Sequence, residues 1–330
     1  MLKKWVALIL ASGILGLSAC TTIDQQAFFD EHERAFKAKT GYITHFVQRD
    51  GIKIHVREFG TKGSRPTLIM LHGFPDSMHL YDWLVPEMIP DRHIVTFDFT
   101  GWGDSDKPEH YKYDFASLRD DLDRVITQLK LTEVVLVLHD ASGPPGIEWA
   151  LAHPDKTKGL VLLNTFYGPM PTLKAPEAIA RFSTPGLYRD VSVFMATQSD
   201  YIWFNGYSEQ LTKFISTVER RDKVIKILAH QSFAIRPAFF SLNKVLLEEV
   251  AKHNAMAEEL ESFTRPVRII FGADDPYLNI GVAQEFHRLF PRSELFLIED
   301  AGHFVQIDKP ERVAELLRYF PDFKSTTQPE

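Results

Sequence analysis

Three side chains able to break a bond by covalent catalysis recur in order along this chain: a carboxylate at Asp140, a second at Asp275 and an imidazole at His303. Each follows a short apolar run. VVLVL (134–138) leads into His139-Asp140, VRIIF (267–271) into Gly272-Ala273-Asp274-Asp275-Pro276, and ELFLI (294–298) into Glu299-Asp300-Ala301-Gly302-His303. Apolar runs this short, bounded by small residues, read as buried parallel strands. In open parallel sheets catalysts gather beyond the carboxyl ends of the strands, so the three fall at one edge. A carboxylate there can displace a leaving group at a saturated carbon, and water activated by the histidine can then attack the carbonyl carbon of the resulting enzyme ester. The histidine needs a carboxylate on its other nitrogen to fix its tautomer and stabilise the imidazolium. Of the adjacent pair, Asp275 is preferred to Asp274 because it precedes Pro276. This chemistry requires no metal and no organic cofactor.

The elements that position these groups are legible around Asp140 first. Ala141, Ser142, Gly143, Pro144, Pro145 and Gly146 follow it, and a helical pattern resumes through Ile147, Trp149, Ala150 and Leu151. A strand joined to a helix by so few residues presents the turn side chain clear of both, as a nucleophile requires. A helix-capping role is the ordinary use of Asp at such a position, but Asp275 and His303 downstream favour the nucleophile. Ser142 is a poorer nucleophile, because Asp140 and Pro144 occupy the two positions that must be small. His72 and His139 read as supports of their loops. Asp98 and the loop through Ser105 read as structural.

The HGFP of residues 72–75, the HD of 139–140, the GADDP of 272–276 and the AGH of 301–303 together resemble the α/β-hydrolase superfamily, over roughly Tyr42 to Phe320. More narrowly they resemble its epoxide hydrolase and haloalkane dehalogenase branch, whose nucleophile is Asp. The resemblance implies an α/β-hydrolase fold: a mostly parallel eight-stranded sheet flanked by helices, with a helical cap inserted after the sixth strand. It assigns Asp140 as nucleophile, Asp275 as acid, His303 as base, and the backbone N–H groups of Phe74 and Ala141 as the oxyanion hole. Such donors contribute about 3 kcal/mol each in comparable enzymes. The elbow departs from the family at Leu138 and Ser142, where glycines are usual, so local packing must differ. Haloalkane dehalogenases place Trp, and fluoroacetate dehalogenases Arg, where this chain has Ala141. HGFP is closer to epoxide hydrolases. That family protonates the departing alkoxide with two cap tyrosines; Tyr188, Tyr201 and Tyr207 are the candidates here, and Phe239 and Phe240 stand where a later one would be sought. Trp203 is a candidate substrate wall or halide donor.

The rest of the chain fits this frame. Residues 42–58 alternate about Asp50-Gly51 and read as an antiparallel hairpin. Thr67–Leu71 and His93–Asp98 read as strands with a helix around Leu80–Met88 between them, and Asp114 caps an amphipathic helix to Lys130. Gly159–Leu163 is another strand. From Gly168 to about Glu261 no strand run occurs, and patterns such as Glu209–Val218 are helical. A helix over Gly281–Phe290 and a last one over Pro310–Tyr319 complete an alternation that argues for a doubly wound sheet interrupted by a cap.

With 330 residues and 45% hydrophobic content the chain can bury a large core. A formal charge of −7 without a basic stripe argues against nucleic acid as a partner. Lys3 and Lys4, the apolar Trp5–Leu17 and then Ser18-Ala19-Cys20 form an export signal too short to span a bilayer. Leu17-Ser18-Ala19-Cys20 resembles the lipobox of bacterial lipoproteins. The resemblance implies lipidation of Cys20, the chain's one cysteine, and Thr22 after it favours the outer membrane of the cell envelope. The expected organisation is a signal peptide (1–19), a tether or short surface helix (20–40), a first core part (41–167), the helical cap (168–261), a second core part (262–322) and a disordered tail (323–330). The expected activity is hydrolysis through an aspartyl ester, epoxide hydrolase-like, on a small apolar substrate suggested by Phe182, Phe194, Phe204, Phe233, Phe239 and Phe240. Haloalkane dehalogenation is the second reading, and an envelope binding protein without turnover the third.

Overall fold

The computed structural model describes residues 25–253 and 256–321. The signal peptide, Cys20 and the tail lie outside the described residues. Helix α1 (residues 25–40) precedes the hairpin of β1 (Ile43–Arg49) and β2 (Ile52–Phe59). Asp50 and Gly51 turn it, both with positive φ, which suits a tight hairpin turn. The parallel strands follow: β3 (Thr67–Leu71), β4 (Ile94–Phe97), β5 (Val134–Asp140), β6 (Thr157–Thr165), β7 (Val267–Gly272) and β8 (Ser293–Ile298). The eight strands lie in the order β1-β2-β4-β3-β5-β6-β7-β8. β2 alone runs against the rest, antiparallel to both β1 and β4. Every residue of β3 and β7 is buried. That burial accounts for their mostly apolar sequences, since helices cover both faces of a parallel sheet, and the one charged residue among them, Arg268, is paired with Glu294.

On the sheet's faces lie α2 (Phe115–Gln128), α3 (Gly143–Ala152), α9 (Ile280–Leu289), the short α10 (Val305–Asp308) and α11 (Pro310–Leu317). Asp114 caps α2 as expected, accepting from the Ser117 N–H at 2.9 Å. The single helix expected at Leu80–Met88 is instead two 3-10 turns, Met78–Tyr81 and Val85–Glu87. Pro86 lacks the N–H a continuous helix would need there.

Between β6 and β7 the cap comprises α4 (Glu177–Ser183), α5 (Leu187–Gln198), α6 (Asp200–Phe214), α7 (Val218–Ala251) and α8 (Met256–Glu261). The helix expected over Glu209–Val218 is the end of α6 and the start of α7, parted at Ile215–Thr217. The carboxylate of Asp308 accepts from the Ser216 and Thr217 N–H groups at 3.2 and 2.8 Å, so these donors are satisfied outside a helix. α7 carries Pro237 in its interior. Proline has no N–H for the Phe233 carbonyl one turn back, and Arg236 Nε donates to that carbonyl at 3.1 Å.

The described part of the expected tether is a docked helix. Phe29 and Phe36 of α1 are buried. His32 hydrogen-bonds Asp82 at 2.7 Å, and Glu33 pairs with the buried Arg57 at 2.7 Å while accepting from the Tyr42 hydroxyl at 3.0 Å. α1 is therefore part of the folded body.

Candidate active site

β5 delivers Asp140 to the carboxyl edge of the sheet, where its φ is +50°. A non-glycine residue in that region is strained, and such strain clusters at functional turns. The turn is held by the residues after it. Ser142 Oγ accepts from the His139 N–H at 2.9 Å and lies 2.8 Å from the His139 carbonyl. Ser142 is thus enclosed in the turn it stabilises. Thr165, at the end of β6, donates to the Asp140 carbonyl at 2.5 Å.

The two departures from the family's glycine pattern have a packing explanation. A Cβ on Gly143 would stand 2.1 Å from the Phe166 carbonyl oxygen, and one on Gly146 would stand 2.3 Å from Leu138 Cδ2. Close approach is met by glycines one and four places further along, and the hydrogen at Gly146 leaves room for Leu138.

Asp140, Asp275 and His303 meet at this edge. His303 Nδ1 lies 2.7 Å from Asp275 Oδ2, and Nε2 faces Asp140 Oδ1 at 4.0 Å. Asp275 is fixed on its other side by the N–H groups of Tyr277 and Leu278, at 2.9 and 3.1 Å. Burial opposes its charge, but His303 and these donors outweigh burial and hold its pKa below the ordinary carboxylate range. Asp274 lies outside the cluster, exposed. Burial alone would depress His303; the carboxylates of Asp275, Asp140 and Asp76 reverse that and hold it up at about 9. Burial raises the pKa of Asp140, and His303 with the Phe74 and Ala141 N–H groups pulls it back. The Phe74 N–H donates to Asp140 Oδ2 at 3.0 Å. Both expected oxyanion donors therefore point at this carboxylate.

The histidines read as supports hold loops. His72 accepts from the Phe99 N–H at 3.1 Å, with its other nitrogen on the Gly73 carbonyl. Burial keeps His139 uncharged, its pKa far below the usual value, and its Nε2 meets the His303 carbonyl at 3.0 Å. Asp98 ties the Met78 and Asp104 N–H groups, at 2.8 and 2.9 Å.

A cavity of about 630 Å³ between sheet edge and cap reaches Asp140 and His303. Of the cap candidates, Trp203 and Tyr207 line it, whereas Tyr188 and Tyr201 are 69% and 78% exposed and do not. Those two are corrected to surface positions: α5 and α6 turn them outward. Trp203 is a wall, because its indole N–H is engaged by Ser232 Oγ at 3.0 Å. The Tyr207 hydroxyl lies 3.4 Å from the Pro75 carbonyl and shares a hydrogen bond with Asp76. Phe239 stands in the wall, packed on Phe74 and Trp203, where a later tyrosine was sought.

Asp76, Asn164 and Phe214 were not singled out by sequence. Asp76 is buried against the cavity, and burial together with the Asp140 charge, partly offset by His303, raises its pKa to about 7. Asn164 donates to Asp275 at 3.1 Å, and its carbonyl takes the Gly272 N–H at 2.8 Å. Phe214 from the cap packs on the His303 ring at 4.5 Å. The usable signal was position: Asp76 and Asn164 both follow the end of a buried apolar run.

A charged dyad and a carboxylate elbow at the edge of a parallel sheet, under a cap inserted after β6, define a capped α/β hydrolase. Residues 66–310 match the family model described as alpha/beta hydrolase fold, and the chain belongs to that family. It is similar to a cis-3-alkyl-4-alkyloxetan-2-one decarboxylase of Xanthomonas campestris, 29% identical over 82% of this chain and 93% of that one. Among solved structures it resembles the ligand-free epoxide hydrolase CorEH, with TM-score 0.66 at 20% identity over 83% of this chain and 96% of that one. It equally resembles a haloalkane dehalogenase loop variant from Bradyrhizobium elkanii, with TM-score 0.66 at 20% identity over 84% and 95%. At such identities the two structures share the fold.

Proposed function

We propose that this protein opens strained oxygen rings of apolar substrates, epoxides first, through a covalent ester on Asp140. The observation that carries the reading is the orientation of that carboxylate: Oδ2 sits on the Phe74 N–H while Oδ1 faces His303. Oδ1 attacks a ring carbon, the C–O bond breaks, and the ring oxygen takes the proton of the Tyr207 hydroxyl. Burial and the neighbouring Asp76 keep that hydroxyl protonated, its pKa well above the usual phenol value. Esterification removes the charge of Asp140, which is one of those holding the proton on His303. The imidazole then gives up its proton, which returns to the Tyr207 phenolate through water in the cavity, and the neutral ring takes a proton from the attacking water, whose oxygen adds to the ester carbonyl carbon. Charge builds on Oδ2 against the Phe74 and Ala141 N–H groups. Collapse expels the diol, protonated from His303, and one Asp140 oxygen now comes from water.

Halide release lacks an indole or guanidinium donor beside the nucleophile, since position 141 is alanine and the Trp203 N–H is engaged. A β-lactone is the second reading, favoured by the near full-length similarity to a relative named for oxetan-2-ones. Its ring also offers a saturated carbon bearing the leaving oxygen. The test is product analysis with styrene oxide, 1-bromobutane and a cis-3,4-dialkyl oxetan-2-one. Diol formation by wild type, reduced about 10²-fold in Tyr207→Phe, is expected; halide release alone, or a Tyr207→Phe rate equal to wild type, overturns the assignment. The same proposal places the enzyme at the cell envelope through an acyl chain on Cys20. Cys20→Ser should move most of the protein from the membrane fraction to the soluble fraction, and a wild type already soluble after cell lysis refutes the anchor.

A further inference from the structure

Among the described residues thirteen large apolar side chains are exposed, and seven of them fall between Leu187 and Ile202. Leu187, Phe194 and Tyr201 are 81%, 62% and 78% exposed. A cap helix of a water-facing enzyme carries polar residues on its outer side, and an apolar concentration of this kind marks an interaction surface. The surface is continuous with the active-site cavity: Val191 and Met195 are exposed on the outside and also line its mouth. Arg181, at the same mouth, sets its guanidinium over the exposed Tyr188 ring at 5.9 Å. Aromatic and long cationic side chains pair in this way where one end is apolar and the other wet.

The chain also enters the fold beside the cap. Phe29 of α1 stacks on His230 of α7 at 4.6 Å, and Lys226 stands over the Phe28 ring at 5.2 Å. Cys20 precedes the start of α1 at residue 25 by five residues, which reach at most about 18 Å when extended. An acyl chain there brings the cap helices to the bilayer rather than the far edge of the sheet.

We propose that the outer face of α5 and the start of α6 docks on a lipid bilayer, so that apolar substrate passes from the membrane through the mouth at Val191 and Met195 to Asp140. The docking surface stands on exposure and continuity; the passage of substrate rests on the activity proposed above.

The test uses the full chain carrying Cys20→Ser, which leaves no other thiol, with a single new cysteine at Phe194→Cys or at Thr132→Cys. Thr132 is exposed where the chain enters β5, at the opposite edge of the sheet. Each is labelled with an environment-sensitive nitrobenzoxadiazole and mixed with phosphatidylethanolamine/phosphatidylglycerol vesicles. A several-fold rise and blue shift of emission at position 194, without change at 132, is expected. An equal response at both positions, or at neither, overturns the proposal. So does a rise at 194 that follows protein concentration without vesicles, which identifies a second copy as the occupant. In a second arm Leu187→Ser/Phe194→Ser/Tyr201→Ser should lose about tenfold in turnover of a long-chain epoxide dissolved in vesicles while keeping its rate on styrene oxide in buffer. Equal rates on the vesicle substrate refute membrane entry. Failure of every epoxide refutes the activity and leaves the fluorescence result to decide the docking.

Discussion

At the scale of residues, the central relation is between one proton and three carboxylates. His303 holds its proton up to about 9 because Asp275, Asp140 and Asp76 outweigh the cost of burying an imidazolium. The free enzyme is therefore protonated there at neutral pH. Removing the charge at 140 must lower that pKa, since a nearby negative charge favours the charged imidazole. Nitrogen NMR of the histidine ring should show His303 titrating near 9 in the wild type and clearly lower in Asp140→Asn; an unchanged midpoint would mean that the two side chains do not interact. The triad residues were legible because each ends or closely follows a mainly apolar strand, although β8, which leads to His303, is only partly buried at the edge of the sheet. The cap tyrosines were not. Tyr201 and Tyr207 are six residues apart, about 240° around a helix, so at most one could face the site, and nothing local to the sequence says which.

At the scale of elements, the elbow is a packing problem solved by displaced glycines. Leu138 is fully buried and fills the space over Gly146. Gly146→Ala should destabilise the protein by about 1–3 kcal/mol through overpacking, measured by denaturant unfolding. Leu138→Ala in the same chain should recover part of that loss, because the two substitutions share one contact. Additive losses would show that the contact is not the cause. Strand positions followed directly from the sequence, since the parallel strands are mostly apolar and the first two alternate about a turn. Helix boundaries between them did not, as Pro86 and Ile215–Thr217 illustrate. The break at Ile215–Thr217 depends on Asp308, over ninety residues away, which also accepts from the Gly302 N–H at 2.8 Å and so joins the His303 loop to the cap. Such long-range capping leaves no local pattern.

At the scale of the molecule, α1 changes what counts as the folded body. Its sequence is polar with few apolar positions, which reads as a tether or short surface helix, yet it docks through Phe29, Phe36, a hydrogen bond to Asp82 and an ion pair to Arg57. Charged side chains that become buried by pairing look, in sequence, like a solvated face. Phe36 packs against Tyr42 and Phe59, so Phe36→Ala should cost about 3 kcal/mol and lower the melting temperature. A melting curve identical to wild type would return the segment to the role of a tether. The fold and the place of the cap were legible; the order of the strands across the sheet and the exposed apolar face of α5 were not, because pairing and exposure are properties of an element's neighbours.

The most direct test of the account is the fate of water oxygen. In a single turnover in ¹⁸O-water with excess enzyme over styrene oxide, mass analysis of the peptide containing Asp140 should show ¹⁸O in its carboxylate, with unlabelled oxygen carried into the diol. Label found in the diol and none in Asp140, or turnover undiminished in Asp140→Ala, would contradict the covalent ester.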